Sequence, residues 1–185
     1  MARLIYASNM SLDGWTEDGS GALDWAPPDD DVFLFITELM QSAGTYLYGR
    51  RMYEAMAVWE TDPTLATRSE LTATYADVWQ AAGKVVYSST LAAPVTAKTE
   101  LERRFDPDAV AALKASARND LLIGGPTLAA QAFAAGLVDE VDLFVWPFLL
   151  GGRKPALPSD VQADLELIDE HRFANGVVHL SYLVR

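Results

Sequence analysis

Leu122-Ile123-Gly124-Gly125-Pro126-Thr127 is an apolar run that breaks at paired glycines and restarts as a helix. Strand, tight turn and helix start in that order favour an anion, because the free N–H groups of the first helical turn and the helix dipole both attract negative charge. The glycines let a backbone approach a ligand closely and reach φ > 0. Thr127 adds a hydroxyl that can donate to the anion or cap the helix. A plain strand-to-helix turn is the competing reading, since neither a G-x-G-x-x-G fingerprint nor a Walker A loop is present. A second junction of the same kind lies upstream, where Tyr46-Leu47-Tyr48 runs into Gly49-Arg50-Arg51-Met52-Tyr53-Glu54. Arginine at a helix start opposes the dipole. Either a phosphate relieves that conflict, or Glu54 neutralises an arginine one turn away. Two phosphate-type turns suggest one extended anionic ligand, such as a dinucleotide.

Acids that could handle protons lie in two other segments. Asn9-Met10-Ser11-Leu12-Asp13-Gly14-Trp15 reads as a loop in which Asp13-Gly14 makes a turn. Trp25-Ala26-Pro27-Pro28-Asp29-Asp30-Asp31 stands at the mouth of a helix, where carboxylates also stabilise the dipole without any chemical role. His171 and His179 are too isolated to form a metal site and read as structural. With no cysteine in the chain, disulfides and thiolate metal sites are excluded.

The elements that must position these groups alternate. Leu4 to Ser8 is a strand, and Asn9 to Pro28 is a long polar loop with a short extended piece around Leu12 to Trp15. Loops of that length are often functional lids. Asp31 to Ala43 carries a helical apolar stripe of Val32, Phe35, Ile36, Leu39 and Ala43. Thr45 to Tyr48 is a strand feeding a short helix at Arg51 to Ala57. Trp59 to Arg68 reads as irregular, and a helix from Ser69 to Ala82 stops at Gly83. Lys84 to Ser88 is a strand and Lys98 to Arg103 a short exposed one. Asp106-Pro107 opens a helix as N-cap and first helical residue. Leu121 to Ile123 is a strand, Leu128 to Ala135 a helix, and Glu140 to Leu150 a strand. Asp164 to Phe173 and Val177 to Val184 close the chain around the hairpin signal Asn175-Gly176. The order predicts a mostly parallel sheet flanked by helices, with antiparallel strands at its C-terminal end.

Length and composition agree with one domain over residues 1–185, large enough to bury roughly 70% of its unfolded surface. Half of the residues are apolar and 22% are charged, so the chain folds as a globular protein. Lys and Arg number 14 against 26 Asp and Glu, a net charge of −12. Such a surface repels nucleic acid and anionic lipid, and neither is expected as a partner. An anionic cofactor would need local cations. The start of the chain lacks the apolar core of a signal peptide, and no apolar stretch approaches the ~20 residues that span a bilayer. A cytoplasmic location is the expectation.

Taken together, Ser11-Leu12-Asp13-Gly14, Gly49-Arg50-Arg51-Met52-Tyr53-Glu54, Gly124-Gly125-Pro126-Thr127, Leu137-Val138-Asp139-Glu140-Val141 and Pro147-Phe148-Leu149-Leu150-Gly151-Gly152-Arg153 resemble the dihydrofolate reductase superfamily. They are most similar to its bacterial branch related to the C-terminal reductase domain of the riboflavin-biosynthesis deaminase-reductase. The motifs occur in the family's order and cover nearly the whole chain.

The resemblance implies a dihydrofolate-reductase-like α/β fold, usually a homodimer in this branch, binding NADPH at the ends of its strands. It places Gly49, Arg50, Arg51, Gly124, Gly125, Pro126 and Thr127 at the cofactor's phosphates, and Ser88 by the adenosine ribose. Ser88-Ser89-Thr90 carry no charge, so Arg50 or Arg51 is expected to meet the 2′-phosphate. The implied chemistry is hydride transfer to a small heterocycle of pterin, folate or ribosylaminopyrimidine type. Asp30 falls on the substrate carboxylate of the folate-reducing enzymes, and Asp13 is the alternative polar group at the reacting end. A nucleotide-binding protein of the same fold without turnover is the other reading.

Overall fold

The computed structural model describes residues 1–185. Along the chain run β1 (Leu4–Ser11), β2 (Trp15–Glu17), α1 (Asp30–Ser42), β3 (Ala43–Gly49), α2 (Arg50–Met56), α3 (Val58–Thr61), α4 (Pro63–Ala66), α5 (Glu70–Ala81) and β4 (Gly83–Tyr87). There follow β5 (Thr99–Glu102), α6 (Pro107–Ser116), β6 (Asp120–Gly124), α7 (Pro126–Ala134), β7 (Glu140–Trp146), β8 (Lys154–Pro155), β9 (Leu165–Arg172) and β10 (Val178–Val184). Eight strands form one sheet in the order β5-β4-β3-β6-β1-β7-β10-β9, and β2 pairs with β8 in a small second sheet. From β5 to β7 every pairing is parallel. Only β10 runs antiparallel, to β7 on one side and β9 on the other. This is the mostly parallel sheet with an antiparallel C-terminal hairpin.

The central strands are apolar nearly throughout because helices cover both of their faces. Leu4, Tyr6, Leu47, Leu121, Ile123, Val141 and Leu143 pack on one face against Val110 of α6 and Leu128, Ala129 and Ala132 of α7. Ile5, Tyr46, Tyr48, Val86 and Leu122 face the other way, onto Met40 of α1 and Tyr75 and Trp79 of α5. Further along, Phe35 of α1 meets Phe144, Phe173 and His179. Each fully buried large side chain contributes about 1.5–3 kcal/mol, which makes the sheet a firm platform for whatever lies at its strand ends.

Three local readings change. Where Trp59 to Arg68 reads as irregular, two helices of four residues each, α3 from Val58 and α4 from Pro63, are found, too short to leave an apolar period. Asp62 caps the second through Thr64 N, with Pro63 in its first turn. The strand from Glu140 stops at Trp146, because Pro147 cannot donate to a ladder. Leu12 to Gly14 is a turn, with Gly14 at φ +87, before β2 begins at Trp15. No helix is long and apolar enough to cross a membrane.

Candidate functional site

Parallel register brings the two glycine junctions together. Tyr48 is the neighbour of Gly124 across β3 and β6, so turns far apart in sequence sit side by side, about 4.8 Å between strands. They form one cradle. Gly125 lies at φ +93 and is the N-cap of α7 without any side-chain cap, which leaves the first N–H groups of that helix unsatisfied. A Cβ on Gly124 would come within 2.9 Å of Cε1 of Tyr48, so the close packing of turn and strand requires glycine there. The helix starts at Pro126, not Leu128, and Thr127 points outward from its first turn, exposed.

Above this cradle is a cavity of about 750 Å³ that runs along the C-terminal ends of the parallel strands. Its wall includes Arg103 and Arg104 after β5, Ser88 and Ser89 after β4, Gly49, Arg50 and Arg51 after β3, Gly124 to Leu128 after β6, Ser8 and Asn9 of β1, and Phe144 of β7. Leu23 and Trp25 of the N-terminal loop and Ile36, Leu39 and Met40 of α1 close it with apolar surface. All eight residues expected at a cofactor, Gly49, Arg50, Arg51, Ser88, Gly124, Gly125, Pro126 and Thr127, line this one space.

The charges around it are one-sided. Arg50, Arg51, Arg103, Arg104 and Lys154 stand against the single carboxylate of Glu17. Arg50 Nε donates to Glu54 Oε1 at 2.7 Å and Nη1 to Thr90 Oγ1 at 2.9 Å. The neutralising role of Glu54 is therefore real, yet it leaves the guanidinium in the wall beside Ser88-Ser89-Thr90. Arg51 turns the other way, with Nη1 on Glu17 Oε2 and Nη2 on the carbonyl of Gly21, both at 2.9 Å. Arg103 Nη1 is fixed on the Leu91 carbonyl at 2.6 Å. Arg104 takes part in none of the chain's ion pairs.

Neither expected acid reaches the cavity wall. Asp13 accepts from Leu150 N at 3.0 Å, Gly151 N at 2.8 Å and Ser11 Oγ at 2.5 Å. These donors, the Leu150 amide first, hold its carboxyl down at about 2. Asp13 is thus the clasp that ties the segment after Pro147 to the first turn. Asp30 opens α1 on an exposed face while Asp29 caps the helix. Its place is the dipole position.

Three charged wall residues escape sequence reading: Glu17, Arg103 and Arg104. The two arginines were discoverable, since a strand at Thr99 paired parallel to β4 must deliver Arg103-Arg104 beside Ser88. Glu17 left no signal, because its burial depends on β2 pairing with β8. His179 is buried, 2.7 Å from Asp142 Oδ1 and between Phe35 and Phe144, as a structural residue.

The sequence matches the model of one protein family, the RibD C-terminal domain, over residues 2–179. The chain belongs to this family. The uncharacterized protein YyaP of Bacillus subtilis (strain 168) is 28% identical over 188 residues, covering 97% of this chain and 94% of YyaP. A crystal structure of a Shewanella sp. PV-4 protein, assigned by name to riboflavin biosynthesis, superposes with a TM-score of 0.78 at 22% identity, covering 100% of this chain and 99% of that one. The Thermotoga maritima diaminohydroxyphosphoribosylaminopyrimidine deaminase/5-amino-6-(5-phosphoribosylamino)uracil reductase gives 0.66 at 14% identity, with this chain covering 57% of it. Both structural likenesses are likenesses of fold.

Proposed function

We propose that the protein is an NADPH-dependent reductase that transfers a hydride to a small heterocycle of ribosylaminopyrimidine, pterin or folate type. One observation carries the reading: a chain of net charge −12 gathers five cations and one acid around a single cavity at its parallel strand ends. Ligands of open α/β sheets bind at that edge. The reductase named among the family's structural relatives supports the reaction class.

The residues present fit the cofactor. The uncapped α7 start and the two glycine turns suit a pyrophosphate. Arg50, Arg104 and the hydroxyls of Ser88 to Thr90 suit a 2′-phosphate, and Ser8 and Asn9 stand toward the opposite end. Bound NADPH would supply the hydride. The chain's own contribution is to hold the reactants in register and, through Leu23, Trp25, Leu39 and Phe144, to keep water from them.

The absence of Asp13 and Asp30 from the wall favours one second reading, nucleotide binding without turnover. Titrating tryptophan fluorescence with NADPH and NADH, then following NADPH oxidation with a panel of heterocycles, separates the two. Tight NADPH binding with substrate-dependent oxidation is the expected result. Binding with no oxidation across the panel selects the second reading, and no binding of either nucleotide refutes both.

A further inference from the structure

We infer that Glu17 is the specificity-determining residue of the cavity, a carboxylate that selects a heterocycle presenting N–H donors along one edge. This rests on the reductase reading for the reaction but on geometry for the site.

Glu17 is the one acid in the wall, and its side chain is only 9% exposed. Oε2 accepts from Arg51 at 2.9 Å, with Lys154 Nζ at 3.6 Å from the same oxygen. Oε1 accepts no hydrogen bond from the chain. That oxygen is not sealed from the solvent of the cavity, and an ionised carboxylate offers a free oxygen to N–H donors. The surroundings fit a flat, nitrogen-rich ring, with Leu23, Trp25, Leu39 and Phe144 as apolar wall and Asn9 as a polar one.

The acid is held rigidly. β2 packs beside β1, four strands from the Arg104 end of the sheet, and pairs with β8. Thr16 Oγ1 donates to the Lys154 carbonyl, and Ala156 N to the Gly14 carbonyl. At Gly152 a Cβ would overlap the carbonyl of Glu17 itself, so the segment before β8 presses directly on the strand that carries the acid. Recognition groups work best on such supported elements. A purely structural Glu17 would serve only to neutralise Arg51 and Lys154, and that role makes no demand on what enters the cavity.

The test uses 2,4-diaminopyrimidine and unsubstituted pyrimidine as probes, titrated by calorimetry into wild type and Glu17→Gln, each with and without NADPH. Wild type is expected to bind the diamino ring at least 10-fold tighter than pyrimidine. Glu17→Gln should weaken the diamino ring by about 10- to 100-fold, the span of a charge-assisted contact, and remove its preference over pyrimidine. Equal binding of the two rings by wild type overturns the proposal without needing the variant, as does a Glu17→Gln protein that keeps its preference. Failure of NADPH to bind, with the diamino preference intact and lost in Glu17→Gln, sinks the reductase reading and leaves the Glu17 assignment standing.

Discussion

Replacing Arg50 by alanine separates the 2′-phosphate assignment from every other account of the cavity. Its guanidinium sits on Thr90 Oγ1 at 2.9 Å and Glu54 Oε1 at 2.7 Å, next to the segment assigned to the adenosine ribose. A charge-assisted phosphate contact contributes about 1.5–3 kcal/mol. Its side chain is 45% exposed, which places it toward the lower half of that range through screening. Releasing Glu54 from an i,i+4 surface pair subtracts about 0.3–0.5 kcal/mol. The net loss is about 1–2 kcal/mol, or roughly 5- to 30-fold in Kd for NADPH. NADH, which lacks the phosphate, should bind R50A as it binds wild type. Glu54→Gln removes a competitor for the guanidinium and should tighten NADPH by about 2-fold. Fluorescence titration reads each of these affinities, since Trp25 lies in the wall. Equal weakening of NADH and NADPH would move Arg50 to the pyrophosphate, and no change in either would refute the reasoning.

Three more outcomes follow from single positions. Gly125→Ala meets nothing closer than Met52 Cβ at 3.7 Å, so its cost is that of φ +93 on an L-residue, about 1–3 kcal/mol, read as a lower Tm. Asp13→Asn tests the clasp: with a carboxyl held at about 2 against about 3.9 when unfolded, its stabilisation is complete above the unfolded value and lost as pH falls through about 2. Denaturant melts at graded pH should therefore show wild type ahead of Asp13→Asn near neutrality and the two converging in acid. We further propose that the outer strand β9 joins two copies of the chain. All its residues are exposed, and Leu165, Leu167 and Ile168 remain 44–47% uncovered on an open sheet edge. Light scattering should give a dimer mass for wild type and a monomer for Leu167→Glu, and a monomeric wild type would refute the pairing.

What the sequence disclosed was whatever local chemistry decides. Asn175-Gly176 turned the last hairpin, Asp106-Pro107 started α6, and the apolar runs of β3, β6 and β7 went to the doubly covered middle of the sheet. The glycine turns were legible for the same reason, because φ +93 at Gly125 favours glycine and Gly124 has no room for a Cβ beside Tyr48. The site's acids were not. Asp13 and Asp30 carry the right functional group in suggestive motifs, yet each carboxylate is placed by a neighbour: Asp13 by the amides of Leu150 and Gly151, remote in sequence, and Asp30 by Asp29 beside it, which takes the cap. Glu17 faces the cavity only because residues more than a hundred positions later pair with it.

The distribution of charge carries a last consequence. At a net charge of −12 the surface as a whole repels a nucleotide, an effect screened over about 10 Å at 0.1 M salt, and attraction begins only within reach of the wall arginines. Long-range steering then contributes nothing favourable to association, so affinity must come from contacts made after arrival. That argues for cations held in place by the fold: Arg103 on the Leu91 carbonyl, Arg50 on Thr90 and Arg51 between Glu17 and Gly21. Preorganised in this way, each loses little side-chain freedom when a phosphate arrives. The acids that hold Arg50 and Arg51, Glu54 and Glu17, thus reduce the ordering cost of binding even as they compete for the same guanidinium groups.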